Sequence, residues 1–221
     1  MDDTKIKILE ATERLIMEHG WEKVTFRMIT SEAGVNLAAI NYHFGSKNAL
    51  EDALLPRFIG PLDEKQSEQL REAEKKASPN QLELKDIIRC FLEPVLEFSL
   101  AYPNHFRMIH GFFSGIKDKS KIKKHILENV NVVSSQFTEA FFKTLPDAPR
   151  EKVLVFFVML FDSSRIFLNN EVFEGLTESV GLSITREVFL DDIIALYAAG
   201  LQKLIEDAKN LNSTHDIGEP T

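Results

Sequence analysis

The stretch "GVNLAAINYHFGSK", residues 34–47, concentrates groups that can do chemistry: Asn36, Asn41, Tyr42, His43 and Lys47, strung on small apolar residues. It holds no carboxylate. The gap runs from Glu32 to Glu51, although the first 59 residues carry nine acids and the chain a formal charge of −8. Asparagine amides pair with base edges or phosphates, and a phenol or an imidazole donates to phosphate oxygens. The small Ala38 lets the backbone approach a groove closely. Lys47, at a helix start, adds its charge to N–H groups that have no partner there. Upstream, Thr25 caps another helix start, and Arg27 is the nearest long cation. Such a face suits a polyanion; a buried helix that happens to lack acid is the other reading. Ile40 and Phe44 belong to a core, and Asn36 and Ser46 also fit as helix caps.

The rest of the chain offers little for catalysis. Cys90 is the only cysteine, which excludes an intrachain disulfide and fits a buried structural thiol in a reducing cytoplasm. The six histidines show no metal-ligand spacing, and Gly45-Ser46-Lys47 lacks the order of a phosphate loop. No enzyme, metal or cofactor is expected. The distinctive feature is 17 phenylalanines against 3 tyrosines and 1 tryptophan. Phe91, Phe98, Phe106, Phe113, Phe137, Phe141, Phe157 and Phe161 fall on apolar helix faces. They read equally as a core or as the lining of a hydrophobic pocket that takes an acyl chain or similar molecule. Arg165 lies one helical turn from Asp162, so the two pair with each other or sit on a solvated edge, or Arg165 faces a cavity and meets a ligand carboxylate.

These residues need helices to position them. At 221 residues, 44% hydrophobic and 27% charged, the composition is that of a globular protein. The longest apolar run, Val153–Phe161, has nine residues against the roughly 20 of a membrane span. The start MDDTKIK does not read as a signal peptide, so the expected location is cytoplasmic. Apolar spacing is helical throughout, and the fold class is all-α. Helices are expected at 4–19, 25–33, 37–44 and from 47, where Pro56 should bend or end the helix and Gly60-Pro61 break it. Further helices are expected at 78–101, 103–116, 119–145, 149–168 and 184–207. The last two are apolar over more surface than one core contact needs. The tail after Asn210 has little to bury.

The segment "ILEATERLIMEHGWEKVTFRMITSEAGVNLAAINYHFGSKNALEDALL" closely resembles the N-terminal domain of TetR-family transcriptional regulators. The resemblance rests on Ala11, Leu15, Gly20, Thr25, Ile29, Ala33, Gly34, Val35, Tyr42, His43, Phe44, Ser46, Lys47 and Leu50. The wording "AGVNLAA.NYHFGSK.AL", followed by "RFIGP", is most similar to the PsrA-like branch, whose members answer to long-chain fatty acids. Leu37 departs from the family, where many members carry a small or polar residue; Pro56 is a second departure. The resemblance implies a helix-turn-helix DNA-binding domain in residues 1–50, an effector-binding and dimerisation domain in 51–210 and a flexible tail in 211–221. It implies phosphate contacts from Thr25, Tyr42, His43 and Lys47, with Arg27, Asn36, Ala38 and Asn41 at or near the bases. The implied partners are a double-stranded DNA operator, a hydrophobic effector and a second copy bound through the last two helices. A helical lipid carrier accounts for the phenylalanines as well, but has no need of the acid-free helix pair.

Overall fold

The computed structural model describes residues 2–115, 131–167, 170–181 and 185–215. Among them every regular element is helical: α1 (Asp3–His19), a 3-10 turn (Trp21–Lys23), α2 (Phe26–Ala33), α3 (Leu37–His43), α4 (Lys47–Ala77), α5 (Leu84–Ala101), α6 (Pro103–Gly115), α7 (Asn131–Thr144), α8 (Arg150–Phe167), α9 (Asn170–Val180) and α10 (Arg186–His215). The chain forms two compact units, Met1–Glu64 with Glu97–Asn129, and Lys65–Leu96 with Val130–Thr221.

In the first unit, local chemistry sets the helix ends. Asp2 caps α1 by accepting from the Thr4 N–H at 3.0 Å. Gly20 closes it at φ 79°, a conformation that costs a side-chain residue steric strain. Gly34, at φ 64°, ends α2 in the left-handed conformation while Val35 N–H reaches back to the Thr30 carbonyl. The helices enclose a core of Ile8, Ile16, Ile29, Ile40, Leu50, Leu54 and Leu55, each at most 1% exposed. Met108 and Ile109 of α6 belong to the same core. Asn104 ties α6 to the end of α1, donating from Nδ2 to the Met17 carbonyl at 2.7 Å. Arg57 forms a two-pronged ion pair with Glu13, which joins α4 to α1.

In the second unit the phenylalanines pack on one another. Phe91 meets Phe137 at 5.2 Å and Phe157 at 5.3 Å between ring centroids, both edge to face. Phe161 lies 6.3 Å from Phe91, and Phe141 stands 5.6 Å from Phe156 and 6.2 Å from Phe157. The edge-to-face pairs among these, Phe91–Phe137, Phe91–Phe157 and Phe141–Phe156, each add about 0.5–1.5 kcal/mol beyond the area they bury. Gln66, 3% exposed, donates to the Phe91 carbonyl at 2.7 Å. Cys90 is buried among apolar neighbours, which pushes its thiol up to about 11, so it is a packing residue.

Several helices depart from the sequence reading. Pro56 and Pro61 both lie inside α4, which runs unbroken for 31 residues. Both prolines are exposed, so the carbonyls they leave without an N–H partner sit on the water side. The helix expected from Ser78 begins instead at Leu84, after a turn in which Thr144 donates to the Leu82 carbonyl at 3.2 Å. Helix α9 was not expected, and α10 continues to His215, beyond the expected end at 207. Of the long helix expected at 119–145, residues 119–130 lie outside the described residues and α7 covers 131–144.

Candidate nucleic-acid interface

Helices α2 and α3 with the turn at Gly34-Val35-Asn36 form a helix-turn-helix, held from behind by Ile29 and Ile40. Thr25 Oγ1 accepts from the Met28 N–H at 3.3 Å and Asn36 Oδ1 from the Ala39 N–H at 2.9 Å. Ser46 Oγ likewise accepts from the Ala49 N–H at 3.1 Å, so all three helix starts carry the caps their sequences specify. Each of these two hydroxyls, Thr25 and Ser46, accepts at its cap and still carries one proton to donate.

Thr25, Arg27, Asn36, Ala38, Asn41 and Tyr42 are all exposed. Tyr42 stands out at 84%. On α3 the outward residues are Leu37, Ala38, Asn41 and Tyr42, with Ile40 fully buried behind them. Leu37, 52% exposed, was absent from the sequence-derived site. Its departure from the family wording was the only signal that marked it.

His43 and Lys47 are placed differently. The His43 side chain is 10% exposed, its ring 5.1 Å from Tyr42, its Nε2 3.6 Å from the Asp2 carboxylate. The Lys47 ammonium turns inward, donating to the Val24 carbonyl at 2.8 Å and the Trp21 carbonyl at 3.1 Å. It also lies 4.5 Å from the centre of the Trp21 ring. Lys47 thus fastens the turn before α2 to the start of α4. The exposed amides at the Thr25 cap are held in place by this clamp.

At the edge of the face, burial and then the neighbouring Asp52 charge hold the Glu51 carboxyl above its ordinary range. Glu51 borders a cavity of about 410 Å³ with Trp21, Glu22, Asn104, Arg107 and Met108.

The expected effector residues divide between the units. Phe91, Phe137, Phe141, Phe157 and Phe161 come together in the aromatic cluster of the second unit. Phe98 and Phe106 belong to the first unit, where Phe98 packs 5.2 Å from Tyr102. The side chains of Phe113 and Arg165 lie outside the described residues. A second-unit cavity of about 230 Å³ is lined by Glu74, Ser78, Lys143 and Thr144 among others, and by none of these phenylalanines. No group of three or more metal-ligating side chains occurs among the described residues. No described helix is long and apolar enough to cross a membrane.

Residues 8–54 match the family model described as bacterial regulatory proteins, tetR family. A search of curated proteins found no match. Among solved structures, the chain resembles a tetR-family transcriptional regulator from Streptomyces coelicolor at 14% identity and TM-score 0.59, over 100% of this chain and 91% of that one. It resembles a TetR variant from Acinetobacter baumannii AYE, crystallised with minocycline, at 15% identity and TM-score 0.58, over 92% and 98%. The superantigen PfiT is similar at 17% identity and TM-score 0.56, over 88% and 96%. The fold is therefore TetR-like, with an N-terminal helix-turn-helix domain of that family's type and a larger helical remainder.

Proposed function

We propose that this protein is a transcriptional regulator, a repressor that binds a palindromic operator as a dimer and responds to a hydrophobic small molecule. The observation that carries this reading is the outward face of α3. It exposes Leu37, Ala38, Asn41 and Tyr42 with no acid between Glu32 and Glu51, in a chain of charge −8. An acidic protein has no structural need for such a face; a duplex does. DNA contact falls to residues 1–50, through Thr25, Tyr42, His43 and Lys47 on the phosphates and Arg27, Asn36, Ala38 and Asn41 at the bases. For His43 and Lys47 the contact is made by the backbone, because the Lys47 ammonium is held by the Val24 and Trp21 carbonyls and the His43 side chain is 10% exposed beside Asp2.

Effector binding and dimerisation fall to residues 51–210. Exposed apolar side chains support the dimer: Leu154, Val155, Val158 and Met159 along α8, 48–64% exposed, and Val188, Leu196 and Leu204 along α10, 40–71%. Ala195, Ala199 and Gly200 are exposed on α10 too, and such small residues permit close helix approach. A twofold pairing through α8 and α10 buries these stripes and presents two copies of α3 to successive half-sites. The effector we propose is a long-chain acyl compound, a reading supported by the PsrA-like wording of the reader and by the 17 phenylalanines of the chain. It favours a dimer geometry whose half-sites no longer match the operator, and so releases DNA.

The test is selection of duplexes from a randomised library by the full-length protein, followed by a salt titration. A regulator enriches one near-palindromic sequence and binds it with an affinity that falls as salt rises. Asn41→Ala should weaken that complex about tenfold or more, one good base pairing. Failure to enrich any duplex, with acyl compounds still bound, would instead identify a lipid carrier.

A further inference from the structure

We propose that Leu37 is a specificity-determining residue that reads the C5-methyl group of thymine in each half-site; the proposal rests on the DNA-binding reading above. Leu37 is the first residue of α3 and is 52% exposed, whereas Ile40, one turn on, is fully buried. The core face of this helix is thus already occupied, and Leu37 stands outside it. Asn41, four residues on and therefore on the same side, is exposed as well.

The groups around Leu37 leave an apolar tip in a neutral setting. Asn36, just before it, has its side-chain oxygen committed to the Ala39 N–H at 2.9 Å. Ala38, just after it, adds only a methyl group. The ammonium of Lys47 is held by two carbonyls, and His43 is 10% exposed beside Asp2. The leading turn of α3 therefore offers a branched aliphatic side chain where a charged or hydrogen-bonding one would read most bases.

The major-groove edges of the four base pairs present donors and acceptors, and thymine alone adds an apolar group. Against guanine, cytosine or the adenine amino group, Leu37 would strip water from polar atoms and return no hydrogen bond. Against thymine, two apolar surfaces leave water together. The leucine therefore selects by attraction at thymine and by penalty elsewhere.

The experiment uses the duplex enriched by the full-length protein, in which each thymine is replaced in turn by deoxyuridine, which lacks only the methyl. At one thymine per half-site the loss should be about fourfold, the value of one buried methyl or methylene group, and about 15-fold with both half-sites changed. Leu37→Ala should bind the thymine and deoxyuridine duplexes within about twofold of each other, since most of the aliphatic surface that covers the methyl is gone. Leu37→Met, which keeps apolar reach, should retain the discrimination. Thermal melting of both variants should match the parent, because the side chain is exposed. Two results overturn the proposal while leaving the DNA-binding reading intact: no thymine sensitive to methyl removal, or discrimination that persists unchanged in Leu37→Ala. Failure to enrich any duplex overturns the DNA-binding reading and this proposal with it.

Discussion

Replacing Lys47 by methionine keeps the length and apolar stem of the side chain and removes only its ammonium. That ammonium makes two hydrogen bonds to carbonyls, 2.8 Å to Val24 and 3.1 Å to Trp21, and sits 4.5 Å from the Trp21 ring. A hydrogen bond from a charged donor contributes about 1.5–3 kcal/mol, and a partly solvated cation–π contact about 0.5–1 kcal/mol. Lys47 is half-buried, so water replaces part of what is lost. A destabilisation of about 2–3 kcal/mol is the consistent expectation.

Trp21 is the only tryptophan, so its emission reports the site itself during urea unfolding. With a slope of about 2 kcal/mol per molar, the midpoint should fall by about 1 M. Most of the loss should persist at high salt, because the two carbonyl hydrogen bonds carry it; only the attraction between Lys47 and the nearby Glu51 carboxylate is screened. On DNA, the clamp predicts weaker binding with an unchanged salt slope. A lysine that neutralises a phosphate would instead lower the slope by about one per half-site. A variant with parental stability and unchanged Trp21 emission would refute the clamp.

Two further outcomes follow from groups away from the reader face. Burial pushes the Asp63 carboxyl up to about 7, far above the ordinary value of a carboxylate. Between about pH 4 and 7 the folded chain therefore holds a proton there that the unfolded chain releases, and stability falls as pH rises through that window. Asp63→Asn should remove this decline and stabilise the protein above pH 7 by about 2–4 kcal/mol, read from urea midpoints across pH; an unchanged pH profile would contradict it. On α8, Val158 is 64% exposed, so Val158→Asp should leave the monomer fold intact. Across the twofold interface proposed above it introduces two desolvated charges, costing about 3 kcal/mol or more and weakening the proposed dimer at least about a hundredfold. Sedimentation at micromolar concentration should then show monomers, and persistence of the parental dimer would place the interface elsewhere.

The features legible in the sequence are those decided within a few residues. Thr25, Asn36 and Ser46 cap the helices they precede, and Gly20 and Gly34 end those they follow, because a cap needs only its own neighbouring N–H groups. Pro56 and Pro61 were misread because a proline's cost depends on which side of the helix its ring falls. That is settled by the fold around it. Both rings face water, and α4 continues. The direction of the Lys47 side chain was equally hidden, since its partners lie 23 and 26 residues earlier. Periodicity placed Phe91, Phe137, Phe141 and Phe157 on apolar faces correctly. It could not distinguish rings that line a space from rings that fill one, and these lie within edge-to-face distance of each other.

Under the proposed function, the inward turn of Lys47 also changes what kind of DNA reader this chain makes. Between Thr25 and Leu50 the only Lys and Arg residues are Arg27 and Lys47, and the second is already occupied. A surface with so few cations neutralises few phosphates, and the release of counterions that drives most non-specific binding is correspondingly small. The net charge of −8 adds a long-range repulsion from the duplex that salt relieves, so added salt cancels part of its own weakening effect. What would remain to hold the proposed complex is short-range: the hydroxyl donors of Thr25 and Tyr42, the amide of Asn41, and the apolar contacts of Leu37 and Ala38. Those contacts exist only on a matching sequence. A reader built this way gives up affinity for DNA in general and keeps a larger share of its binding energy for the correct site, which is the ratio a regulator needs among many competing sites.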